Sequence, residues 1–292
     1  MSSMAAMAAE QAAGLPNRVW LDACRRMVEA QAEVYARTRS ISARTEYQGV
    51  GEGGDRSLVI DRQAEEIVFV ELERLHAEGA EFTAISEERG EVVFGDPEVP
   101  SRVVIDPIDG SLNARRTLPS FALSVAVASG PSMADVEWGF VHDFGTGEDF
   151  VAAHGLGATL EGEELLARGP GYGLEVVGLE ATKPELSLPV VAGLQGRAYR
   201  CRGVGSLAIT ICYVAAGRFD GMLSARECRS VDVAAAQLIA REAGASLKFG
   251  ELPLDRVHLD LAARFPIAAG LDEEMLGTLL EVQREAAPAP GS

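Results

Sequence analysis

The chain has 292 residues, 47% hydrophobic and 24% charged, which is globular composition with enough apolar material for one large or two medium domains. Its formal net charge of −18 repels nucleic acid and anionic membrane, so neither is expected as a partner, and an anionic substrate would need a local cation to approach. The four cysteines, Cys24, Cys201, Cys212 and Cys228, form no C-x-x-C pair; this leaves zinc and dithiol motifs unsupported and fits small, mostly buried residues in a reducing cytoplasm.

The N-terminal stretch MSSMAAMAAEQAAGLP has no Lys or Arg before Arg18 and carries Glu10 where a signal peptide needs an apolar core, so it is read as a frayed or helical extension. No apolar run reaches the roughly 18 residues of a membrane span. Pro16-Asn17 predicts a helix start, and Trp20, Ala23, Cys24, Met27, Val28, Val34 and Tyr35 follow at helical spacing over 18–38, interrupted by Gln31. GVGEGGDRS (49–57) is a Gly-rich loop. A second helix is predicted from about Asp61 to Ala77. Short strands are predicted at Phe82–Ile85 and Arg102–Ile105, and strands at 121–128, 136–142 and 148–153 look like an antiparallel meander. Past Gly173, strand-like 174–180 and 188–194 alternate with helices at 205–217, 232–243 and 272–285, as in an α/β unit. The expected organisation is an α+β part over 1–170, an α/β part over 171–286 with a soft boundary near Arg168–Gly173, and a disordered tail at 287–292.

The acidic residues at the ends of apolar elements raise a chemical question. VVIDPIDGS puts Asp106 and Asp109 after a strand, AISEERG puts Glu87 and Glu88 after another, and Asp61 and Asp232 stand at helix starts. Each has an ordinary explanation: D-P-x-D-G-S is a turn, Asp caps helices, and Glu-Glu pairs are solvated. Strand ends and helix starts also gather at sheet edges, where ligand sites form. Carboxylates meeting there repel one another unless a cation lies between them, and an oxygen-only donor set suits a hard ion such as Mg2+. Gly110 and Ser111 would then offer backbone N–H groups to phosphate oxygens. Together these describe a phosphoryl-transfer site.

Four separated segments carry a resemblance: SLVIDRQAEE (57–66), ISEERG (85–90), VVIDPIDGSLNARRTLPSFALSVAVA (103–128), and GSLAITICYVAAGRFDGM with SVDVAAAQLIAREAGA (205–245). In this order they resemble the inositol monophosphatase family, within the superfamily that also holds the fructose-1,6-bisphosphatases. The resemblance covers about residues 49–270. It implies a layered α-β-α-β-α fold and Mg2+-dependent hydrolysis of a phosphate monoester with two or three ions. By matching position it implies Glu87, Asp106, the Ile108 carbonyl, Asp109 and Asp232 as metal ligands. Ser111, in place of the family's more usual threonine, would orient and deprotonate the attacking water with Glu87, supported by Asp61. Asp109 and the N–H groups of Gly110 and Ser111 would hold the substrate, and Asn113 would stand behind them.

There are departures from the family pattern. Val231 stands where many members have Trp, Ala225 where animal members have a Glu contacting the inositol ring, and Leu58 where some members have Lys. Arg229 matches archaeal members with dual activity and is expected to meet a second phosphate, with Arg226 beside it. The first expected substrate is inositol-1-phosphate. Fructose-1,6-bisphosphate or dual activity comes second, and histidinol phosphate or a 3′-phosphonucleotide after that. A fold member kept only for binding is the competing class, which loss of a ligand would favour. A cytoplasmic homodimer is expected, since relatives are commonly dimers; the apolar strands 121–128 and 136–142 suit either an interface or a buried sheet.

Overall fold

A computed structural model describes residues 11–45, 47–50, 56–180 and 183–287, and side chains other than those of 46–59 within them. Most of the N-terminal extension (1–10), the centre of the Gly-rich loop (51–55), the Leu58 side chain and the tail from 288 onward lie outside the described residues. The expected layering is present, and each layer follows from the apolar pattern.

Strands β1 (Gln11–Ala12) and β2 (Leu15–Pro16) form a two-residue ladder before helix α1 (Asn17–Arg37). Helix α1 buries the predicted stripe, and with it Gln31, which has no solvent exposure. A short helix α2 (Ile41–Arg44), strands β3 (Tyr47–Val50) and β4 (Arg56–Leu58), and helix α3 (Val59–Ala77) follow. Then come β5 (Phe82–Ser86), β6 (Gly90–Phe94), β7 (Arg102–Asp109), helix α4 (Ser111–Arg115) and β8 (Ala122–Ala128). Strands β9 (Val136–Asp143), β10 (Glu148–Ala153), β11 (Gly157–Leu160) and β12 (Glu163–Leu165) complete an eight-stranded sheet in the order β12-β11-β10-β9-β8-β7-β5-β6. Strands β8 to β10 form the expected antiparallel meander, which β7 and β11–β12 extend; β5 and β7 alone are parallel.

Residues 166–175 lead to β13 (Val176–Glu180), helix α5 (Pro184–Leu194), β14 (Arg200–Arg202), helix α6 (Leu207–Ala215), β15 (Gly221–Ser224), helix α7 (Ser230–Glu242), β16 (Ser246–Lys248), β17 (Ala268–Gly270) and helix α8 (Glu273–Ala286). The five strands order as β14-β13-β15-β17-β16. Segment 188–194 is therefore helical, not the expected strand. Pro184 begins the helix, and Val190 and Leu194, four apart, pack on Leu276, Leu279 and Val282 of α8 while Leu188 and Val191 face out. In so short an apolar run the periods of 2 and 3.6 are hard to separate, and tertiary packing decides.

Alternation along the large sheet sends Leu123, Val125, Val127, Trp138 and Phe140 toward α1 and α3, and Ala126, Val141, Phe150 and Ala152 toward α6 and α7. Strands β8 and β9 are thus buried on both faces within one chain, which accounts for their apolar character without an interface. Helix α7 approaches the sheet closely because Gly139 has no Cβ; one built there would lie 3.0 Å from the Ala235 carbonyl oxygen. The far face of the five-stranded sheet meets α5 and α8 through Val177, Leu179, Leu223 and Ala268. The order is α1/α3, sheet, α6/α7, sheet, α5/α8. Cys24, Cys212 and Cys228 are buried, Cys201 is partly exposed, and none is bonded to another. No helix among the described residues is long and apolar enough to cross a membrane.

Candidate metal centre and active site

The parallel pairing of β5 and β7 brings the first two acidic motifs together. Ser86 pairs with Ile105, so Glu87 and Asp106 emerge side by side at one sheet edge. Strand β7 does not stop at Asp106, as its apolar run suggests, but continues to Asp109 through a one-residue irregularity. Asp106 pairs with Ser124 and Asp109 with Ala122, so Pro107 and Ile108 face Leu123 alone. Pro107 has no N–H to give the ladder, and such a bulge re-aims the side chains beside it. The Asp106 carboxylate accepts the Ile108 N–H at 2.9 Å, and the Ile108 side chain is anchored in a cluster with Tyr35, Ile60 and Phe121. Burying one such side chain contributes roughly 1.5–3 kcal/mol. An isoleucine between two aspartates thus fastens the segment that presents them.

Helix α7 delivers Asp232 in its first turn. Arg229, not Asp232, is the N-cap of the helix; one Asp232 oxygen accepts the Arg229 backbone N–H at 3.0 Å from inside the first turn, and the other accepts the Arg229 guanidinium at 3.1 Å. Glu87, Asp106 and Asp232 converge: each offers an oxygen, and the three oxygens lie within 4.8 Å of one another. Burial, and then the charges of Glu87, Asp109 and Asp232, push the Asp106 carboxyl well above the usual carboxylate range. Asp109 stands next to this trio rather than inside it. Its Oδ2 accepts the Ser206 hydroxyl at 2.5 Å and the Ala208 N–H at 2.7 Å, at the start of α6, and burial raises its carboxyl to about 7. A buried oxygen-only donor set with no His or Cys, in which burial and neighbouring carboxylates raise Asp106 and Asp109, fits a hard divalent cation, which would restore their charged forms.

Two cavities adjoin the cluster. One, of about 360 Å3, is lined by Asp61, Glu87, Glu88, Asp106, Ile108, Ser111 and Arg115. The other, of about 560 Å3, shares Glu87, Asp106, Ile108 and Ser111 and adds Asp109, Gly110, Asp232, Lys183, Arg226 and Arg229. The expected metal ligands, Asp61, Ser111, Gly110 and Arg229 therefore all lie on one or both cavities, whereas Asn113 lines neither. Asp61 sits in the first turn of α3. Gly110 precedes α4 with φ +89°, and a Cβ there would lie 2.9 Å from the Ser120 oxygen and 3.0 Å from the Gly205 oxygen. Asn113 donates to the Ser120 and Val204 carbonyls, both at 2.7 Å, and so ties α4 to the 204–206 turn.

Arg229 differs from expectation. It lines the larger cavity, but its guanidinium is committed to two of the carboxylates: 2.6 Å and 2.8 Å to the two Glu87 oxygens and 3.1 Å to Asp232. Burial opposes its charge, and Asp232 and Glu87 outweigh that and raise its pKa.

Sequence reasoning overlooked the residues that hold the site from behind. Gln31, noted only as a break in a stripe, donates to the Pro107 carbonyl at 3.3 Å. Glu65, one turn after Asp61, accepts the hydroxyl of Ser86, the residue before Glu87, at 2.8 Å. Glu180, at the end of β13, accepts from Thr210 and from the N–H groups of Val204 and Gly205; burial lifts it to about 7. The available signal was a polar residue at a position whose periodicity demanded burial.

Comparison with known proteins agrees with this geometry. A family model described as "Inositol monophosphatase family" matches residues 20–285. The fructose-1,6-bisphosphatase/inositol-1-monophosphatase of Thermococcus kodakarensis is 32% identical over 238 residues, 81% of this chain and 86% of that protein. The Nus factor SuhB of Escherichia coli is 33% identical over 191 residues, 63% of this chain and 68% of that one. A solved structure described as an inositol monophosphatase-fructose 1,6 bisphosphatase aligns with TM-score 0.75 and 26% identity, covering 90% of this chain and 99% of its own.

Proposed function

The chain belongs to the inositol monophosphatase family and is a metal-dependent phosphomonoesterase, and from that premise we propose that it hydrolyses a small sugar or cyclitol phosphate with Mg2+, inositol-1-phosphate first and fructose-1,6-bisphosphate second. The observation that carries this reading is the convergence of Glu87, Asp106 and Asp232 between two cavities. These three, with Asp109 and the Ile108 carbonyl, would hold two or three ions. When bound, the ions supply positive charge for the phosphate oxygens and lower the pKa of a water.

The chain's own groups do the rest. On the smaller cavity, Ser111 and Glu87 orient the attacking water and the Glu87 carboxylate accepts its proton, with Asp61 beside them. The N–H groups of Gly110 and Ser111 hold the phosphate on the larger cavity, where Asp109 also contacts the substrate. An in-line displacement needs an attacking and a leaving side, and two cavities sharing four residues provide both. A second phosphate would be met on the larger cavity by Lys183 and Arg226, with Arg229 joining when its carboxylates are otherwise engaged. These cations support the bisphosphate, and the dual name of the Thermococcus relative points the same way. The complete carboxylate set weighs against a role in binding alone.

The test is phosphate release from inositol-1-phosphate, fructose-1,6-bisphosphate, histidinol phosphate and adenosine 3′,5′-bisphosphate, with Mg2+ and with chelator. Release that requires Mg2+ and favours one of the first two is expected. Undiminished release in chelator, or none from any ester, would refute the proposal. A homodimer in the cytoplasm is proposed with it; sedimentation velocity reads the first and cell fractionation the second.

A further inference from the structure

Arg229 is the one cation bonded within the described carboxylate cluster, and its geometry is more than a neighbourly ion pair. Both Glu87 oxygens accept from it, at 2.6 Å and 2.8 Å, and Asp232 Oδ1 accepts at 3.1 Å. Its own backbone N–H donates to the other Asp232 oxygen at 3.0 Å. The planar guanidinium fork matches carboxylate geometry, and its side chain is about one quarter exposed, so water screens it little. The oxygens it uses belong to two of the three residues that converge within 4.8 Å.

We infer that Arg229 is an internal counter-ion that competes with a divalent metal for Glu87 and Asp232, and so sets the affinity of the site for that metal. This rests on the proposed metal centre. A metal and the guanidinium draw on the same lone pairs, so uptake must loosen Arg229 from at least one carboxylate. The backbone bond to Asp232 does not change in the exchange, so Asp232 keeps its place in the first turn of α7. The released guanidinium stays on the wall of the larger cavity.

The experiment is calorimetric titration of Mg2+, with Mn2+ titration followed by electron paramagnetic resonance, into the wild type, Arg229→Ala and Arg229→Lys. Removing a favourable cation from a site ordinarily leaves the rest intact; here its removal should tighten metal binding, by about tenfold or more, the size of a charge-assisted hydrogen bond that no longer has to break. Arg229→Lys keeps a point charge without the fork and should fall between the two. Thermal melts in chelator should show Arg229→Ala less stable than wild type, and saturating Mg2+ should narrow the gap. Should the alanine variant fold poorly, the lysine variant still decides, because competition requires it to bind metal more tightly than wild type. Equal or weaker metal affinity in the folded variants would overturn the inference and make Arg229 a support that orients Glu87. Absence of metal uptake by wild type would overturn the metal centre itself, and this inference with it.

Discussion

Asp109→Asn separates what one buried carboxylate does for catalysis from what it does to stability. The Asn keeps the shape, and its amide oxygen can still accept from the Ser206 hydroxyl and the Ala208 N–H. The charge is lost. Burial lifts the Asp109 carboxyl from 3.8 to about 7, so holding it ionised above that pH costs roughly 4 kcal/mol in the folded chain. That cost is already net of the pull of the Ser206 and Ala208 hydrogen bonds on the charged form, so the amide, which escapes it, predicts a chelator-treated variant that melts roughly 7 °C higher than wild type at pH 8. The gain should shrink as the pH falls from about 7 towards 4 and vanish below about pH 3, where Asp109 is protonated in both folded and unfolded chains. Turnover should fall by about 10²-fold, or roughly 3 kcal/mol at the transition state, because a ligand charge is missing. Calorimetry in chelator at the two pH values and kcat at saturating Mg2+ measure the two effects. Wild-type turnover would return Asp109 to the role of a turn residue. Loss of stability at pH 8 would show that its hydrogen bonds outweigh its burial.

Three further outcomes follow from the same geometry. Burial raises both Asp106 and Asp109, so the folded chain binds more protons than the unfolded one between about pH 4 and pH 7; without metal, stability should fall as pH rises through that window, while Mg2+ affinity should rise by about tenfold per pH unit for each proton released, as titrations at pH 5, 6 and 7 would show. Gly110→Ala forces a Cβ into left-handed backbone between the Ser120 and Gly205 oxygens; it should cost about 1–2 kcal/mol of strain and lower kcat by about tenfold or more, read by calorimetry and initial rates. Gln31→Leu removes the donor to Pro107 together with a buried amide oxygen that has no hydrogen-bond partner; stability should change by about 1 kcal/mol or less while the Mg2+ Kd rises severalfold, and an unchanged Kd would limit Gln31 to packing.

The layered order was legible because its signals are periodic. Apolar runs bounded by Gly, Pro and Asp turns at 121–128 and 136–142 marked the central strands, and the stripe of 18–38 marked the first helix within a residue or two. The small strands were not legible. β14, β16 and β17 have three residues each, too few for any period to register, and they exist because neighbouring strands supply their partners. Segment 188–194 failed for a related reason, since a helix four residues into an apolar run looks like a strand until α8 is seen against it. At the site, the residues that carry charge were visible as unusual carboxylates. Those that aim the carboxylates were not, because a buried Gln or Glu is informative only once its partner is known, and Gln31 and Pro107 are 76 positions apart.

That division has a physical cause. Clustered carboxylates repel, and a sheet edge alone would let them splay. Each is held by a different element: Glu87 through Ser86 and Glu65 of α3, Asp106 through the Ile108 N–H and the Gln31 bond to Pro107, Asp109 through Ser206 and Ala208 of α6, and Asp232 through its own helix turn. The interactions reach across both outer and inner helical layers, so the cluster can form only when the sheet and the helices on both of its faces are assembled. Mutual repulsion that would destabilise an open loop here becomes a standing attraction for a cation, and the Arg229 guanidinium already answers to it. An acidic protein thereby gains one place of focused affinity for positive charge, and through that charge a means of drawing in a phosphate that its net charge of −18 would otherwise repel.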